Sequence, residues 1–373
     1  METTTIINIV VTILVLAGFT ALAIPVSRFN LSENVIENKI PENGISIMVA
    51  FRNEIHNLPA LYESICNLNY PKHLIEWVLC NDHSEDGGKD WILQIQKNAP
   101  FRIVYCENKT EEGKKAALNN AVNNATYNTL FFTDADCILP PSLLQTLNIA
   151  IQNHNTLLIA GPIKYNGNSS FLHNYQCMES AALMALTVES FKNKNALMAN
   201  GANLCMNKSL FLEAQSKRID LNIPGGDDIF LLEYAMQKNS AACSFIFTEN
   251  NIVKTASEKS WSDLINQRVR WASKVRHQKY ISGIIWQGFS FLFSISYIAS
   301  IILIPFIGFT PAGIFIAGKM AADVILYIKL LPVLNYKINP LHITIFSIVQ
   351  VLMIMITGIR ARFGGYYWKG SYH

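Results

Sequence analysis

Asp134 and Asp136 stand one residue apart at the end of an apolar run, in "NTLFFTDADCILPPS" over residues 128–142. Side chains at i and i+2 of an extended chain project to the same side, so the two carboxylates converge on one point. Their mutual repulsion is relieved if a divalent cation occupies it. Hard cations such as Mg2+ and Mn2+ take one or two carboxylates and fill their shell with substrate phosphates. Held in this way, such a cation serves a diphosphate leaving group as Lewis acid and template. A solvated turn, with an aspartate capping a helix that begins near Pro140, accounts for the same residues. A second acidic pair, Asp227 and Asp228, lies in "PGGDDIFLLEY", where the helix dipole alone would favour it. In "QRVRW", Gln267, Arg270 and Trp271 share one face if the segment is helical.

Those residues need a scaffold, and from Gly44 onward the chain supplies one. Short apolar runs alternate with amphipathic stretches: "ISIMVAF", "LPALYESICNL", "IEWVLCND", "GKDWILQIQK", "FRIVYCEN", "GKKAALNNAVNNA" and "TLFFTDAD". Strand and helix taking turns predicts an α/β fold, a doubly wound and mainly parallel sheet covered on both faces. Ligands of such sheets bind beyond the carboxyl ends of the strands. Here those ends carry Arg52, Asn53 and Glu54, then Asp82, then Asp134 and Asp136.

The rest of the chain is apolar. Charged residues make up 15% of the 373, against about a quarter in ordinary soluble domains. Ile6–Val26 is an uncharged run of about the 20 residues that a bilayer crossing requires. "METTT" lacks the positive region of a cleaved signal, so a retained anchor is expected over residues 1–28. Arg28 and Lys39 follow it, which places the section 29–280 in the cytoplasm by the positive-inside rule. The seven cysteines all lie there without a CxxC pair, as reduced thiols would. A net charge of +3 gives no ground for nucleic-acid binding.

Residues 281–359 hold room for three further crossings, near 283–308, 312–334 and 343–359. Lys319, Asp323 and Lys329 interrupt the middle one, and three crossings would put Arg360 and Arg362 outside. Two crossings with an amphipathic or re-entrant middle segment are therefore expected, ahead of a basic, aromatic tail at 360–373.

"ISIMVAFRNE", "CNDHSEDG", "EEGKKAALNNA", "FFTDADC", "NGANLCMNK", "GGDDIFLLEY" and "QRVRW" occur in that order. Together they resemble the membrane-bound family 2 glycosyltransferases, which include cellulose, hyaluronan and poly-N-acetylglucosamine synthases and several glycolipid synthases. The resemblance covers Gly44 to Lys279, and its most specific part is the QxxRW pattern behind a separate acidic motif. It implies the GT-A fold for nucleotide sugars and an inverting reaction, which fits the sheet read above.

The resemblance also implies roles. Glu54 would line the nucleotide, although the family often has Pro where Ala50 stands. Asp82 would hydrogen-bond the base, unless it merely caps a helix beside Ser84. Lys114 would neutralise phosphate, with Lys115 as the competing candidate. Asp134 would contact ribose or metal, and Asp136 would be the principal metal ligand. Asn203, beside Gly201, would lie close to the acceptor, although a plain turn explains the glycine too. Asp228 matches the general base, which takes the acceptor's proton; Asp227 departs from the family's Glu and would lie on the acceptor side. Two adjacent carboxylates raise one of their pKa values, which suits a base working near neutrality. Gln267 and Arg270 would hold the donor, Arg270 through its planar paired donors, and Trp271 would stack on the acceptor. A basic helix entering a membrane surface would carry Arg and Trp as well.

The implied activity is transfer from a nucleotide sugar, a UDP-sugar in the first instance, to a lipid or lipid-linked acceptor at a bacterial inner membrane. The alternative is a processive polysaccharide synthase, whose acceptor is a growing glycan. A nucleotidyltransferase would not need QxxRW, and a nucleotide-sensing module would not need both Asp136 and Asp228.

Overall fold

The computed structural model describes residues 40–108, 113–153, 156–217, 227–273 and 281–365, with Ile6, Ile13 and two short strands inside 367–372. The expected anchor at 1–28 otherwise lies outside the described residues, and so does the side chain of Asp227. Two compact units form. One comprises Leu31–Asn166 and Ser190–Ala256; the other comprises Met1–Asn30, Gly167–Glu189 and Ser257–His373.

Among the described residues the first unit has nine strands: β1 (Ile45–Phe51), β2 (Ile75–Asn81), β3 (Arg102–Glu107), β4 (Thr129–Phe132), β5 (Leu158–Ala160), β6 (Ile163–Asn166), β7 (Leu204–Asn207), β8 (Cys243–Phe245) and β9 (Val253–Ala256). Seven of them form one sheet in the order β3-β2-β1-β4-β7-β5-β8. β1 pairs in parallel with β2 and β4, and β2 with β3, while β7 runs antiparallel to β4 and β5. β1 and β2 read as mainly apolar runs because helices cover both faces of a parallel sheet. Leu58–Cys66, Gly88–Gln96 and Lys114–Asn124 are the crossover helices the alternation predicts. The charged exception inside β2 is Glu76, fully buried, which accepts from Ser46 Oγ at 2.6 Å and Thr126 N at 2.8 Å.

β6 and β9 make a separate parallel pair. β9 reaches back to the segment after β4: Ile138 and Lys254 exchange backbone hydrogen bonds at 2.8 and 3.0 Å. All seven cysteines are free thiols.

The second unit is helical. It contains most of Phe171–Lys192, then Trp261–Ser273, and three long apolar helices at Ile281–Ile302, Phe309–Val333 and Pro340–Phe363. Two of these are long and apolar enough to cross a membrane, by length and composition: Ile285–Ile302 within the first, and Pro340–Phe363. The middle segment is one continuous helix of 25 residues. Lys319 and Asp323 are one turn apart and pair at 2.6 Å, 9% and 2% exposed, and Gln350 lies 3.4 Å from the ammonium. Each charge neutralises the other inside the bundle instead of lining a polar face.

Candidate active site

In the first unit the carboxyl ends of β1, β2 and β4 carry the polar residues. The loops after β1 and β2 brace each other. Asn53 N donates to Ser84 Oγ at 3.0 Å, Glu85 N to Asn53 Oδ1 at 2.8 Å, and Ile55 N to Asp86 Oδ2 at 2.7 Å. Asn53 and His83 take positive φ, 56° and 61°, in these turns; both are residue types that tolerate the left-handed region. Glu54 is half-buried, and its Oε2 accepts from Asn57 Nδ2 at 2.7 Å.

Asp82 is 5% exposed. Its Oδ1 accepts from Asn108 Nδ2 at 3.1 Å, and its two oxygens accept from Gly113 N at 3.0 and 3.1 Å. The helix-cap alternative does not apply, because Asp86 is the residue that accepts from Gly88 N at the start of the next helix. Asp82 instead fixes Gly113, whose φ of +113° suits glycine. Gly113 immediately precedes Lys114, so Asp82 sets where that lysine begins its helix. The Lys114 ammonium pairs with Asp134 Oδ1.

Asp134 and Asp136 lie in a turn and not on an extended strand. β4 stops at Phe132, and Cys137 N donates to Asp134 O at 3.2 Å. The i, i+2 geometry of a strand is therefore not what brings the two carboxylates together; the turn does so. They sit well before Leu143, where the following helix starts, so neither is its cap. Asp136 Oδ2 accepts from Thr255 Oγ1 at 2.9 Å, a bond between the turn and β9. Burial pushes the Asp136 carboxyl above its usual range, and the nearby charges of Asp134 and Glu54 push it further, with Thr255 opposing them. Among the described residues no three acidic, His or Cys side chains converge closely enough to hold an ion by themselves. The donor set suits a hard cation that takes one or two carboxylates and draws its other ligands from phosphate. The crowded, half-buried Asp136 is the group such a cation would relieve.

Asp227 opens the helix Asp227–Asn239. Asp228 Oδ1 accepts from Ile229 N at 3.0 Å, and Oδ2 from Gly201 N at 3.3 Å. The glycine of "NGANLCMNK" is thus a donor that orients the Asp228 carboxylate. Asn203 is placed otherwise than expected. It is 1% exposed, and its Nδ2 donates to Pro162 O at 2.8 Å and Asn251 O at 2.7 Å. Both amide hydrogens are spent on loop carbonyls, so Asn203 clamps the loops and does not reach for an acceptor.

In the second unit the "QRVRW" segment lies in the helix Trp261–Ser273. Gln267 Nε2 donates to Glu258 Oε1 at 2.6 Å, and its Oε1 accepts from the Arg268 guanidinium. An amide engaged at both ends braces this helix. Arg270 and Trp271 are half-buried. The Arg268 guanidinium lies 4.2 Å from the centre of the Trp271 ring, which leaves at most the opposite face for a sugar. Thr255 is a residue that the sequence did not single out, and Arg268, within "QRVRW", carried no assigned role.

Residues 46–213 match the family model Glycosyl transferase family 2, and residues 130–339, over half the chain, match Glycosyl transferase family group 2. The chain belongs to the family 2 glycosyltransferases. This family 2 glycosyltransferase is 25% identical over 252 residues to a poly-beta-1,6-N-acetyl-D-glucosamine synthase of Staphylococcus epidermidis, a match spanning 65% of the chain and 57% of that relative. It is 27% identical over 161 residues to the Staphylococcus aureus protein of that name, spanning 42% and 37%. Among solved structures it resembles the mannosyltransferase PcManGT of Pyrobaculum calidifontis, in complex with GDP-Man and Mn2+. The TM-score is 0.58 at 14% identity, over 96% of this chain and 99% of that one. The mainly parallel sheet of this glycosyltransferase, with its flanking helices, is the GT-A fold.

Proposed function

We propose that this glycosyltransferase moves a sugar, with inversion, from a UDP-sugar to a lipid or lipid-linked acceptor at a bacterial inner membrane. The catalytic unit would lie on the cytoplasmic side. The observation that carries the reading is the Asp134–Asp136 turn. It is a carboxylate cluster at the carboxyl ends of the strands, where burial and then the Asp134 charge push the Asp136 carboxyl up, with Lys114 held beside Asp134.

Asp136 and Asp134 would hold Mg2+ or Mn2+, whose chemistry is to neutralise the departing diphosphate. The Mn2+ in the complex of the mannosyltransferase neighbour supports a divalent cation. Lys114 adds a second positive charge at the same place, and Glu54 and Asp82 belong to the donor side through the loops they anchor. Asp228 takes the proton of the acceptor hydroxyl as that oxygen bonds to the anomeric carbon and the bond to diphosphate breaks. Its carboxylate is aimed by Gly201 N and Ile229 N. Arg270 and Trp271 keep the roles that the motif implies, diphosphate binding and acceptor stacking. Asp227 would lie on the acceptor side.

A second reading is favoured by one finding, the similarity to poly-beta-1,6-N-acetyl-D-glucosamine synthases. In it the acceptor is a growing glycan and the enzyme is processive. Membranes holding the full chain are incubated with labelled nucleotide sugars and Mn2+ or Mg2+, then extracted with organic solvent. Label in the organic phase supports the lipid acceptor; label in high-molecular-weight material alone supports the polymer. In Asp228→Asn, kcat should fall by about 10²- to 10⁴-fold while UDP still binds. Full turnover in that variant would remove Asp228 as the base.

A further inference from the structure

His173, Gln176 and Glu179 recur every three residues along Phe171–Lys192 and make one stripe. Each meets the segment leading into or through the "QRVRW" helix. The His173 ring lies 3.0 Å from Ser257 Oγ. Gln176, fully buried, grips the Glu258 backbone from both sides, accepting from its N at 2.8 Å and donating to its O at 3.0 Å. Glu258 in turn accepts from Gln267. Glu179 Oε2 accepts from Arg268 Nε at 2.7 Å and lies 2.6 Å from Nη2. The Arg268 side chain is 7% exposed and that of Glu179 is 16% exposed. Held there, the guanidinium lies over Trp271.

We infer that Glu179 and Gln176 are positioning residues for this helix. Glu179 acts through Arg268 to set the plane of Trp271, and Gln176 acts through Glu258 to set Gln267. The assignment of a catalytic consequence rests on the glycosyl-transfer reading above; the bracing itself does not. The physical argument is that a buried guanidinium has few stable directions. Its planar fork is fixed by a carboxylate on one side, and its flat face is then available for the indole ring. Without Glu179 the buried guanidinium would lose the carboxylate that fixes its fork, so Arg268 would leave the ring or the helix would shift.

The test uses the full chain in detergent and two independent measurements. The first is the emission of Trp271, taken as the difference between each protein and its Trp271→Phe partner. The second is the split of kcat from donor KM with labelled UDP-N-acetylglucosamine. Glu179→Gln should shift the Trp271 emission and lower kcat by about 10- to 100-fold with donor KM unchanged, the scale seen when an outer partner of a site residue is lost. Glu179→Asp should recover part of both. Because removing one partner of a buried pair can unfold the protein, the decisive variant is the double change Glu179→Leu with Arg268→Met. Apolar replacement of a buried pair is often neutral for stability. If the pair served stability alone, this double variant would match the wild type in emission and kcat, which overturns the proposal. A folded double variant with shifted emission and reduced kcat supports it. Should the wild type turn over no nucleotide sugar while the emission still shifts in Glu179→Gln, the bracing stands and the transfer reading falls.

Discussion

Thr255 Oγ1 donates to Asp136 Oδ2 at 2.9 Å, a bond between β9 and the turn after β4, two segments far apart in sequence. It fixes one oxygen of the carboxylate that would hold the cation, while the other accepts from Cys137 Sγ at 3.9 Å. It also opposes the burial and like charge that push the carboxyl up. Thr255→Val should weaken Mn2+ binding by roughly 10- to 100-fold, as losses of outer hydrogen-bond partners do. Thr255→Ser keeps the hydroxyl and should restore it. Calorimetric titration of Mn2+ in the presence of UDP reads both; equal affinity in Thr255→Val would mean that the hydroxyl does not orient the ligand.

Asp136 itself should trade stability against activity. Its carboxyl is raised in the folded chain by burial, then by Asp134 and Glu54. A group raised on folding binds its proton more tightly when folded. Its contribution is present below the ordinary carboxylate range and is lost as pH rises through the raised value. Above the raised value the ionised Asp136 is therefore a liability. Asp136→Asn, a mimic of the protonated form, should melt higher than the wild type in EDTA at pH 7.5. The gap should close as pH falls below the usual carboxylate range. The same variant should lose on the order of 10²-fold or more in kcat, the scale for removing one electrostatic stabiliser. A lower melting temperature in EDTA would contradict the crowding argument.

Lys114 pairs with Asp134 and starts at the glycine that Asp82 fixes. If its charge serves the donor diphosphate, Lys114→Met should raise donor KM by roughly tenfold to a hundredfold, the range of a lost charged hydrogen bond. Asp82→Asn should raise it too, in smaller measure, by loosening Gly113. Steady-state kinetics over a donor series checks both. Unchanged donor KM in Lys114→Met would confine the lysine to holding Asp134.

What was readable beforehand follows from how locally each feature is encoded. β1 and β2 are mainly apolar runs because both faces are covered, and their polar ends mark the binding edge. That pattern is local, and the sheet follows it. The contribution of Thr255 is not local: a lone threonine in "VKTA" gives no hint that β9 returns to the turn after β4. Arg268 carried no assigned role because QxxRW leaves its position unspecified and its partner Glu179 lies on another helix. Asn203 was placed near the acceptor on its motif alone, and burial assigns it to the loops. Lys319 and Asp323 look like interruptions in a hydropathy reading, yet at i, i+4 they cancel.

The Asn203 clamp makes a prediction about coupling that an acceptor-binding role would not. Gly161 packs against it so closely that a Cβ at 161 would meet Asn203 Nδ2 at 2.4 Å and Cγ at 2.6 Å. Gly161→Ala alone should therefore destabilise the first unit by about 1–3 kcal/mol through overpacking. Asn203→Ala alone removes the amide donor to Asn251 O and one of two donors to Pro162 O, which still accepts from Val253 N at 3.1 Å, so the loss costs about 1–3 kcal/mol. The double variant removes the clash along with the clamp, so it should be more stable than the sum of the two by roughly 0.5–3 kcal/mol. Denaturant midpoints of the full chain in detergent measure the cycle, and donor and acceptor kinetics of folded Asn203→Ala complete it. Strict additivity would show that the two side chains do not compete for one space, and a selective rise in acceptor KM would return Asn203 to the acceptor site.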